Sequence, residues 1–194
     1  MALIRIAGLD GSKTNFGIAL MDLDTETLKM NVRDLILIKT EKDQAKQVRK
    51  SSDNLLRAQV IAEGIDEALQ GCTIAFFEVP SGGKSYDAVL GFGIVIGLYA
   101  SIKIPTAEVS PAETKKAAVG TRTASKEEMV EWAVEKYPNA PWRRQRQNGA
   151  TFKKGDLMND NEHLADAVAI THAGLLTPSF KQTVAILNAR PLAA

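Results

Sequence analysis

Residues 159–172 constrain this chain most, because a polar turn leads directly into a nearly continuous apolar run. Asp166 is the one polar residue within 164–170, a pattern that predicts a helix buried on all sides. Glu162 and His163 precede the run and lie on the same helical face as Asp166. Acidic groups are favourable at an exposed helix N-terminus, but inside a packed region they need a partner such as a divalent cation. The segment alone therefore allows two interpretations, an exposed first turn and a metal site.

Three strand-like segments open the chain and are separated by short polar turns. Apolar residues dominate segments 3–9, 16–21 and 30–38. Short connections between consecutive strands are typical of an antiparallel meander. We therefore expect the first three strands to be antiparallel neighbours.

Helices and strands alternate in the remainder of the chain. Strands that are joined through helices are parallel neighbours with right-handed crossovers. The pattern predicts one α/β domain whose mixed five-stranded sheet is flanked by helices. We expect this domain over residues 1–177 and a loose tail over 178–194. The predicted elements after the meander are a helix over 42–70, a strand over 73–77, a packed core helix over 86–102, a strand over 105–109, a short helix from Ser110, a helix over 124–137 and the helix that follows Asn159.

The helix over 42–70 is predicted from apolar residues at helical spacing. These residues are Val48, Leu55, Leu56, Val60, Ile61, Ile65 and Leu69.

Composition limits the class of protein. The 194 residues are 45% hydrophobic and carry a net charge of +1, so binding to nucleic acid must come from local basic patches. The single cysteine, Cys72, excludes an internal disulfide and is expected to be a small buried residue. The N-terminus has no signal-peptide pattern, and the most apolar run is shorter than a membrane span of about 20 residues. We expect a cytoplasmic protein that does not bind membranes.

Two further carboxylates directly follow apolar strands. Asp10 closes the first predicted strand and Glu78 the fourth. Sites in α/β sheets collect at these strand ends, where the two acids join Glu162, His163 and Asp166. Such ligands suit a hard cation, and four of them can hold two Mg²⁺ ions about 4 Å apart for hydrolysis of a phosphodiester. The set therefore favours a metal site over an exposed helix end.

Several segments resemble the RuvC-type Holliday-junction resolvases, which have the ribonuclease H-like fold. The matches follow the family's order along the chain, and the compact, divergent form is most similar to a bacteriophage-encoded member, which would act in the host cytoplasm. The matching segments are Ile6-Ala7-Gly8-Leu9-Asp10-Gly11-Ser12 with Phe16-Gly17-Ile18, Ala75-Phe76-Phe77-Glu78, Ser110-Pro111-Ala112-Glu113-Thr114-Lys115-Lys116-Ala117-Ala118-Val119-Gly120, Ala124-Ser125-Lys126, and His163-Leu164-Ala165-Asp166-Ala167-Val168-Ala169-Ile170-Thr171-His172.

The resemblance implies catalytic residues and a metal cofactor. Asp10, Glu78 and Asp166 would bind two Mg²⁺ ions, with Mn²⁺ as an alternative. His163 matches a position that some members fill with histidine and others with aspartate, which makes it the expected fourth catalytic ligand. Glu162 is the competing candidate for that place.

The resemblance also implies partners. A homodimer would cut two opposed strands of a four-way DNA junction, and the helices over 42–70 and 86–102 would supply the dimer interface. Lys115 and Lys126 would lie near the scissile backbone, where their charge offsets that of phosphate. The candidate DNA-binding residues are Lys84, Lys115, Lys116, Arg122, Lys126, Arg143, Arg144, Arg146, Lys153 and Lys154.

Two loops depart from the family pattern. The loop after Glu78 lacks the aromatic residue that family members stack against the junction, and Tyr86 lies further on. The basic loop over 142–154 is longer than in the compact bacterial enzymes. Either Trp142 stacks on a base while neighbouring arginines hold phosphates, or this loop is solvated and disordered. Junction selectivity and sequence preference therefore stay open.

Three other functions remain as alternatives. Residues 10–17 also resemble the phosphate loop of actin-like sugar kinases and ATPases, although that fold needs two domains and a second phosphate loop. A non-catalytic module that binds branched nucleic acid would not need the acidic set. A related nuclease that cleaves RNA would carry the same residues.

Overall fold

A five-stranded mixed sheet forms the centre of the protein in the computed structural model, which describes residues 3–45 and 47–189. The strand order is β3-β2-β1-β4-β5. The first three strands are antiparallel and β4 is parallel to β5, as the connections predict, and β4 also pairs in parallel with β1. The strands are β1 (Leu3–Asp10), β2 (Asn15–Asp24), β3 (Met30–Lys39), β4 (Ile74–Phe77) and β5 (Thr106–Glu108).

Helices cover both faces of this sheet. Because neighbouring side chains of a strand point to opposite faces, Leu9 of β1 packs with α1 and α2, and Ile6 packs with α5 and α6. The described part of the chain contains α1 (Lys50–Ala68), α2 (Tyr86–Ser101), α3 (Pro111–Val119), α4 (Lys126–Lys136), α5 (Asn161–Gly174) and α6 (Pro178–Ala189).

Helix α5 is buried on all sides, as the apolar run predicts. Its residues from Ala167 to Ile170 are completely inaccessible to solvent. Glycines in the sheet allow this close packing, because a Cβ atom at Gly8 would collide with the Ala167 carbonyl oxygen. At Gly17 the same atom would collide with the carbonyl oxygen of His163. The sheet glycines therefore set how closely α5 approaches β1 and β2.

The predicted start of the first helix is wrong. Helix α1 begins at Lys50 rather than at residue 42, because polar side chains bond the preceding backbone in a non-helical arrangement. The Asp43 carboxylate accepts a hydrogen bond from the Ala45 amide, and the Asp53 carboxylate accepts one from the Asp43 amide. Residue 46 within the predicted helix lies outside the described residues.

Two helices expose apolar residues that the helical spacing assigned to the core. On α1, Leu55 and Leu56 are each 59% exposed, while Ile61 and Ile65 are buried. The predicted core helix α2 is buried along one side only and exposes Val89 and Ile96. These two helices therefore carry an apolar surface that the single chain leaves uncovered.

Two segments that were expected to be irregular are ordered. Residues 143–158 are joined by backbone hydrogen bonds and one bridge, which contradicts the alternative that the loop over 142–154 is disordered. Residues 178–189 form α6 rather than a loose tail, because Phe180 is buried against Phe76. Residues 190–194 of the expected tail lie outside the described residues.

Cys72 is buried, as expected, and burial raises the pKa of its thiol. No helix in the described ranges is long and apolar enough to cross a membrane.

Candidate active site

The ends of two parallel strands meet the first turn of α5 at one edge of the sheet. Leu9 of β1 pairs with Phe77 of β4, so Asp10 and Glu78, the next residues along, are neighbours at this edge. His163 lies close to them, with its Nδ1 atom 2.8 Å from Oδ2 of Asp10. The structure therefore brings together acids that are far apart in the sequence.

Asp10 and His163 form a half-buried pair. The side chains of His163 and Asp10 are 18% and 26% exposed. The hydrogen bond with Asp10 is the main cause that raises the pKa of His163, and burial opposes it. In the protonated form of the imidazole, Nδ1 donates to the Asp10 carboxylate, so His163 partly neutralises that acid.

Asp166 lies in the same cluster, and its pKa is far above the usual value for an aspartate. Burial, followed by the negative charges of Asp10 and Glu78, raises the pKa of Asp166 to about 7. Burial also raises the pKa of Glu78, with the charge of Asp10 acting in the same direction, while a hydrogen bond from Thr114 lowers it. The cluster thus holds more negative charge than its surroundings neutralise, and it favours binding of a proton or a cation.

Glu162 faces a different partner in this cluster. Its Oε2 atom accepts a hydrogen bond from Lys126 Nζ at 3.0 Å, which raises the pKa of the lysine. Oε1 of Glu162 lies 3.6 Å from Nε2 of His163. Glu162 is therefore joined to the site through His163 and Lys126.

The donor types of this cluster fit a hard divalent cation. Asp10, Glu78 and Asp166 supply carboxylate oxygens, the ligands that Mg²⁺ prefers. Within the described residues, however, no three acidic, histidine or cysteine side chains converge closely enough to hold a metal ion. In this arrangement Asp10 is hydrogen-bonded to His163.

The two lysines that the family motifs single out lie at the site. Lys126 pairs with Glu162, as described above, and its pKa also rises with the charges of Asp166 and Asp10. Lys115 is half-buried, donates to the Ala124 carbonyl oxygen at 2.7 Å, and its charge lowers the pKa of Glu78. Both cations therefore lie within electrostatic range of the acids.

The other eight candidate DNA-binding residues are mostly exposed, and five of them lie within residues 143–154. Arg143 is an exception, because its guanidinium bonds Asp160 at 3.0 Å and is only partly exposed. The remaining candidates are solvent-exposed; they are Lys84, Lys116, Arg122, Arg144, Arg146, Lys153 and Lys154.

Trp142 does not lie where it can stack on a base, so that interpretation is wrong. The side chain is 6% exposed and packs in a cluster with Ala133 and Leu164. Its indole Nε1 donates to the Tyr137 carbonyl oxygen at 2.8 Å. Trp142 is an anchor for the segment that follows it.

Sequence reasoning missed Asn161, which fixes the basic segment to α5. Asn161 is completely buried, its Oδ1 accepts a hydrogen bond from the Arg143 amide, and its Nδ2 donates to the Arg143 and Met158 carbonyl oxygens. An asparagine at the head of a buried helix was the available signal.

Sequence reasoning also missed Arg57. This buried arginine of α1 donates to the Lys13 carbonyl oxygen and to the hydroxyl groups of Thr14 and Thr40. It thereby holds the loop that follows Asp10. The available signal was a charged residue on the same helical face as Ile61.

Comparison with known proteins identifies the fold. The sequence matches no protein-family model and no curated protein. The structure is similar to T. thermophilus RuvC in complex with a Holliday junction (19% identity, TM-score 0.64, 93% of this chain and 97% of that chain). It is also similar to Thermus thermophilus RuvC alone (20% identity, TM-score 0.57, 88% and 92%). A third neighbour is the Fowlpox virus resolvase in complex with Holliday junction DNA (12% identity, TM-score 0.51, 90% and 100%). The chain therefore has the ribonuclease H-like fold of RuvC, which confirms the predicted fold class.

Proposed function

We propose that this chain, which has the fold of RuvC, is a metal-dependent endonuclease that cleaves branched DNA, with four-way junctions as its substrate. The observation that carries the proposal is the meeting of Asp10, Glu78, His163 and Asp166 at one edge of this fold. Two of the structural neighbours are complexes with Holliday junctions, which supports branched DNA as the ligand.

Asp10, Glu78 and Asp166 are the proposed ligands of two Mg²⁺ or Mn²⁺ ions, and His163 or Glu162 is the further ligand. When bound, the ions would activate water and stabilise the leaving oxygen of the phosphodiester. A bound cation would stabilise the ionised form of Asp166 most, because burial and acidic neighbours otherwise favour the protonated form of this side chain. The raised pKa of Asp166 thus supports a site built for added positive charge.

The lysines at the site have a proposed role in binding the scissile strand. Lys126 is 68% exposed and extends from the N-terminus of α4, so its ammonium group can exchange Glu162 for a phosphate oxygen. Lys115 is less mobile, since its Nζ donates to the Ala124 carbonyl oxygen. We therefore assign Lys126 to direct phosphate binding and Lys115 to balancing the charge of Glu78.

A homodimer is the proposed assembly, formed through α1 and α2. Leu55, Leu56 and Val60 of α1 are exposed, as are Val89 and Ile96 of α2, and the two helices contact each other. Neighbouring exposed apolar side chains are typical of a surface that another protein covers. A second copy would place a second cleavage site for the opposed strand of a junction.

The proposed substrate and cofactor are tested with labelled DNA and purified protein. We expect Mg²⁺ to support cleavage of a four-way junction, EDTA to abolish it, and a linear duplex of the same sequence to remain largely intact. Cleavage that persists in EDTA contradicts the metal mechanism. Equal cleavage of duplex and junction contradicts the preference for branched DNA while leaving a nuclease.

A further inference from the structure

Residues 143–158 form a hairpin that extends from the N-terminus of α5, and we refer to it as the basic hairpin. The Gln145 amide donates to the Asp156 carbonyl oxygen at 2.8 Å, and the Gly155 amide donates to the Gln145 carbonyl oxygen at 2.9 Å. The tip is closed by a bond from the Gly149 amide to the Phe152 carbonyl oxygen at 3.0 Å. The segment therefore presents its side chains on an ordered backbone.

The basic hairpin concentrates positive charge. It contains one acidic residue, Asp156, against five cationic residues, although the whole chain has a net charge of only +1. The rest of the chain is thus net acidic, and the hairpin is a local site for a polyanion. The cationic residues are Arg143, Arg144, Arg146, Lys153 and Lys154.

The base of the hairpin is tied to the helix that carries the candidate catalytic residues. Asn161, the first residue of α5, bonds the backbone of Arg143 and Met158, which lie at the two ends of the hairpin. The Asp160 carboxylate pairs with Arg143. Because His163 follows two residues later on α5, the hairpin is held in a fixed relation to the candidate active site.

The side of the hairpin near its base is concave and polar. A cavity of about 650 Å³ lies there, and it falls within the usual range of about 300–1,000 Å³ for ligand sites. Arginine guanidinium groups in such a cavity bind phosphate in a bidentate manner. The lining residues are Trp142, Arg143, Arg144, Gln145, Arg146, Gln147 and Met158.

The tip of the hairpin carries an aromatic residue that lies outside the hydrophobic core. Phe152 is 37% exposed and belongs to none of the hydrophobic clusters of the described chain. Its ring lies against Gly149, where an added Cβ atom would collide with the ring. The ring therefore lies against the turn, and part of its surface faces solvent. Lys153 and Lys154, which follow Phe152 in the sequence, are exposed as well.

We propose that the basic hairpin is a DNA-binding element in which Phe152 stacks on the uncovered face of a base while Arg144, Arg146 and the two adjacent lysines bind the flanking phosphates. Stacking on aromatic side chains is tolerant of sequence and needs a base with an uncovered face. Bases at a branch point have lost a stacking neighbour, so the hairpin favours branched over linear DNA. This inference rests on the proposed function for its choice of substrate.

Binding in EDTA tests this inference separately from cleavage. Fluorescence anisotropy is measured with a four-way junction, a fork with a single-stranded arm, and a duplex. We expect Phe152→Ala to weaken binding of the fork and junction about tenfold, in keeping with the loss of one base–aromatic contact, and to leave duplex binding unchanged. Phe152→Trp should retain binding. Phe152→Leu, which keeps an apolar contact with Gly149 but has no flat ring, should behave like Phe152→Ala.

Salt dependence separates stacking from charge. Arg146→Gln should weaken binding of all three DNAs and reduce the slope of log affinity against log salt by about one, whereas Phe152→Ala should leave the slope unchanged. Ile186→Ala removes an exposed apolar side chain of α6 and serves as the matched control, with no change expected. Thermal melting of each variant checks that the fold is intact.

Three outcomes overturn the inference. They are wild-type affinity in Phe152→Leu, equal weakening of fork and duplex in Phe152→Ala, and tighter binding of single-stranded RNA than of DNA of the same sequence. The inference and the proposed function fail differently. If DNA binding depends on Phe152 but the protein cleaves no DNA, only the proposed nuclease activity is contradicted. If the protein cleaves junctions but Phe152→Ala leaves DNA binding unchanged, only the proposed role of the hairpin is contradicted.

Discussion

At the scale of single residues, Asp166 combines an expected functional role with a cost to stability. Its pKa is about 7 in the folded protein and about 3.9 in an unfolded chain. The folded state therefore binds a proton that the unfolded state releases, so stability falls as the pH rises from about 4 through 7. The acid is held in an environment that disfavours its charge, as is common at catalytic sites.

Asp166→Asn should therefore stabilise the metal-free protein while abolishing junction cleavage. Removing the buried charge is expected to raise the free energy of unfolding at pH 8 by on the order of 2 kcal/mol, with less effect at pH 5. Urea denaturation of both proteins in EDTA at the two pH values measures the difference. If the variant is less stable than the wild type at pH 8, the folded state stabilises the charged Asp166 carboxylate, and the prediction is contradicted.

His172 provides a second pH dependence, away from the candidate site. Burial lowers its pKa to about 4, and its Nε2 atom lies 2.8 Å from the Tyr137 hydroxyl oxygen. Below pH 6.5 the unfolded chain binds a proton that the fold excludes, so stability should fall as the pH drops from 6.5 to 4, by on the order of 2 kcal/mol. His172→Gln should reduce this loss in urea titrations at pH 7 and pH 5. An unchanged pH dependence would assign the acid sensitivity to other groups.

At the scale of elements, the packing of α5 on the sheet determines where the candidate ligands lie. Gly17 of β2 faces the His163 backbone, and a side chain there has no room. Gly17→Ala should destabilise the protein by about 1–3 kcal/mol, as overpacking does, and displace the first turn of α5. Junction cleavage should fall more than DNA binding in EDTA. Cleavage at the wild-type rate would contradict this dependence on α5.

Helix α1 is expected to influence the loop after Asp10 through Arg57. Arg57 bonds this loop and lies 3.8 Å from the carboxylate of Asp53, which is buried as well. Arg57→Ala leaves the loop untied and Asp53 without its cation, a change that costs about 3–5 kcal/mol when a buried pair is broken. Thermal melting of Arg57→Ala, compared with that of the control Arg33→Ala, checks this estimate. Arg33→Ala alters an exposed ion pair. Equal melting of the two variants would contradict it.

The limits of sequence reasoning are clearest at this scale. Hydrophobic patterns and short connections predicted the antiparallel meander, the mixed five-stranded sheet and the burial of α5, because these features depend on local periodicity and chain direction. They did not predict the strand order, in which β4 lies beside β1. The same patterns could not separate core from interface on α1, since Leu56 and Ile61 both fit a helical repeat. The order of the basic hairpin depends on Asn161 and Trp142, whose contacts form only in the folded chain.

At the scale of the whole molecule, the exposed surface of α1 and α2 predicts the assembly. Leu56→Glu places a charge in the proposed interface and should convert a dimer into a monomer at micromolar concentration. Size-exclusion chromatography with light scattering measures this, and Ile186→Glu on α6 is the matched control. A wild-type monomer, or a dimer that persists in Leu56→Glu, would contradict the proposed interface.

The candidate site itself was predictable because its chemistry follows the strand ends. Asp10 and Glu78 close β1 and β4, and parallel neighbours bring such residues to one edge. The sequence did not predict which side chains of the cluster bond to each other. The competition between Glu162 and His163 depends on side-chain geometry, in which His163 bonds Asp10 and Glu162 bonds Lys126.

The most direct test of the central proposal is the cleavage of a labelled four-way junction in Mg²⁺ by Asp10→Asn. Asp34→Asn, which changes an exposed aspartate of β3, is the matched control. We expect Asp34→Asn to cut at the wild-type rate, and Asp10→Asn to bind the junction but to lose cleavage by at least about a thousandfold, as loss of a catalytic ligand implies. Cleavage by Asp10→Asn at a rate similar to that of the control would contradict the account.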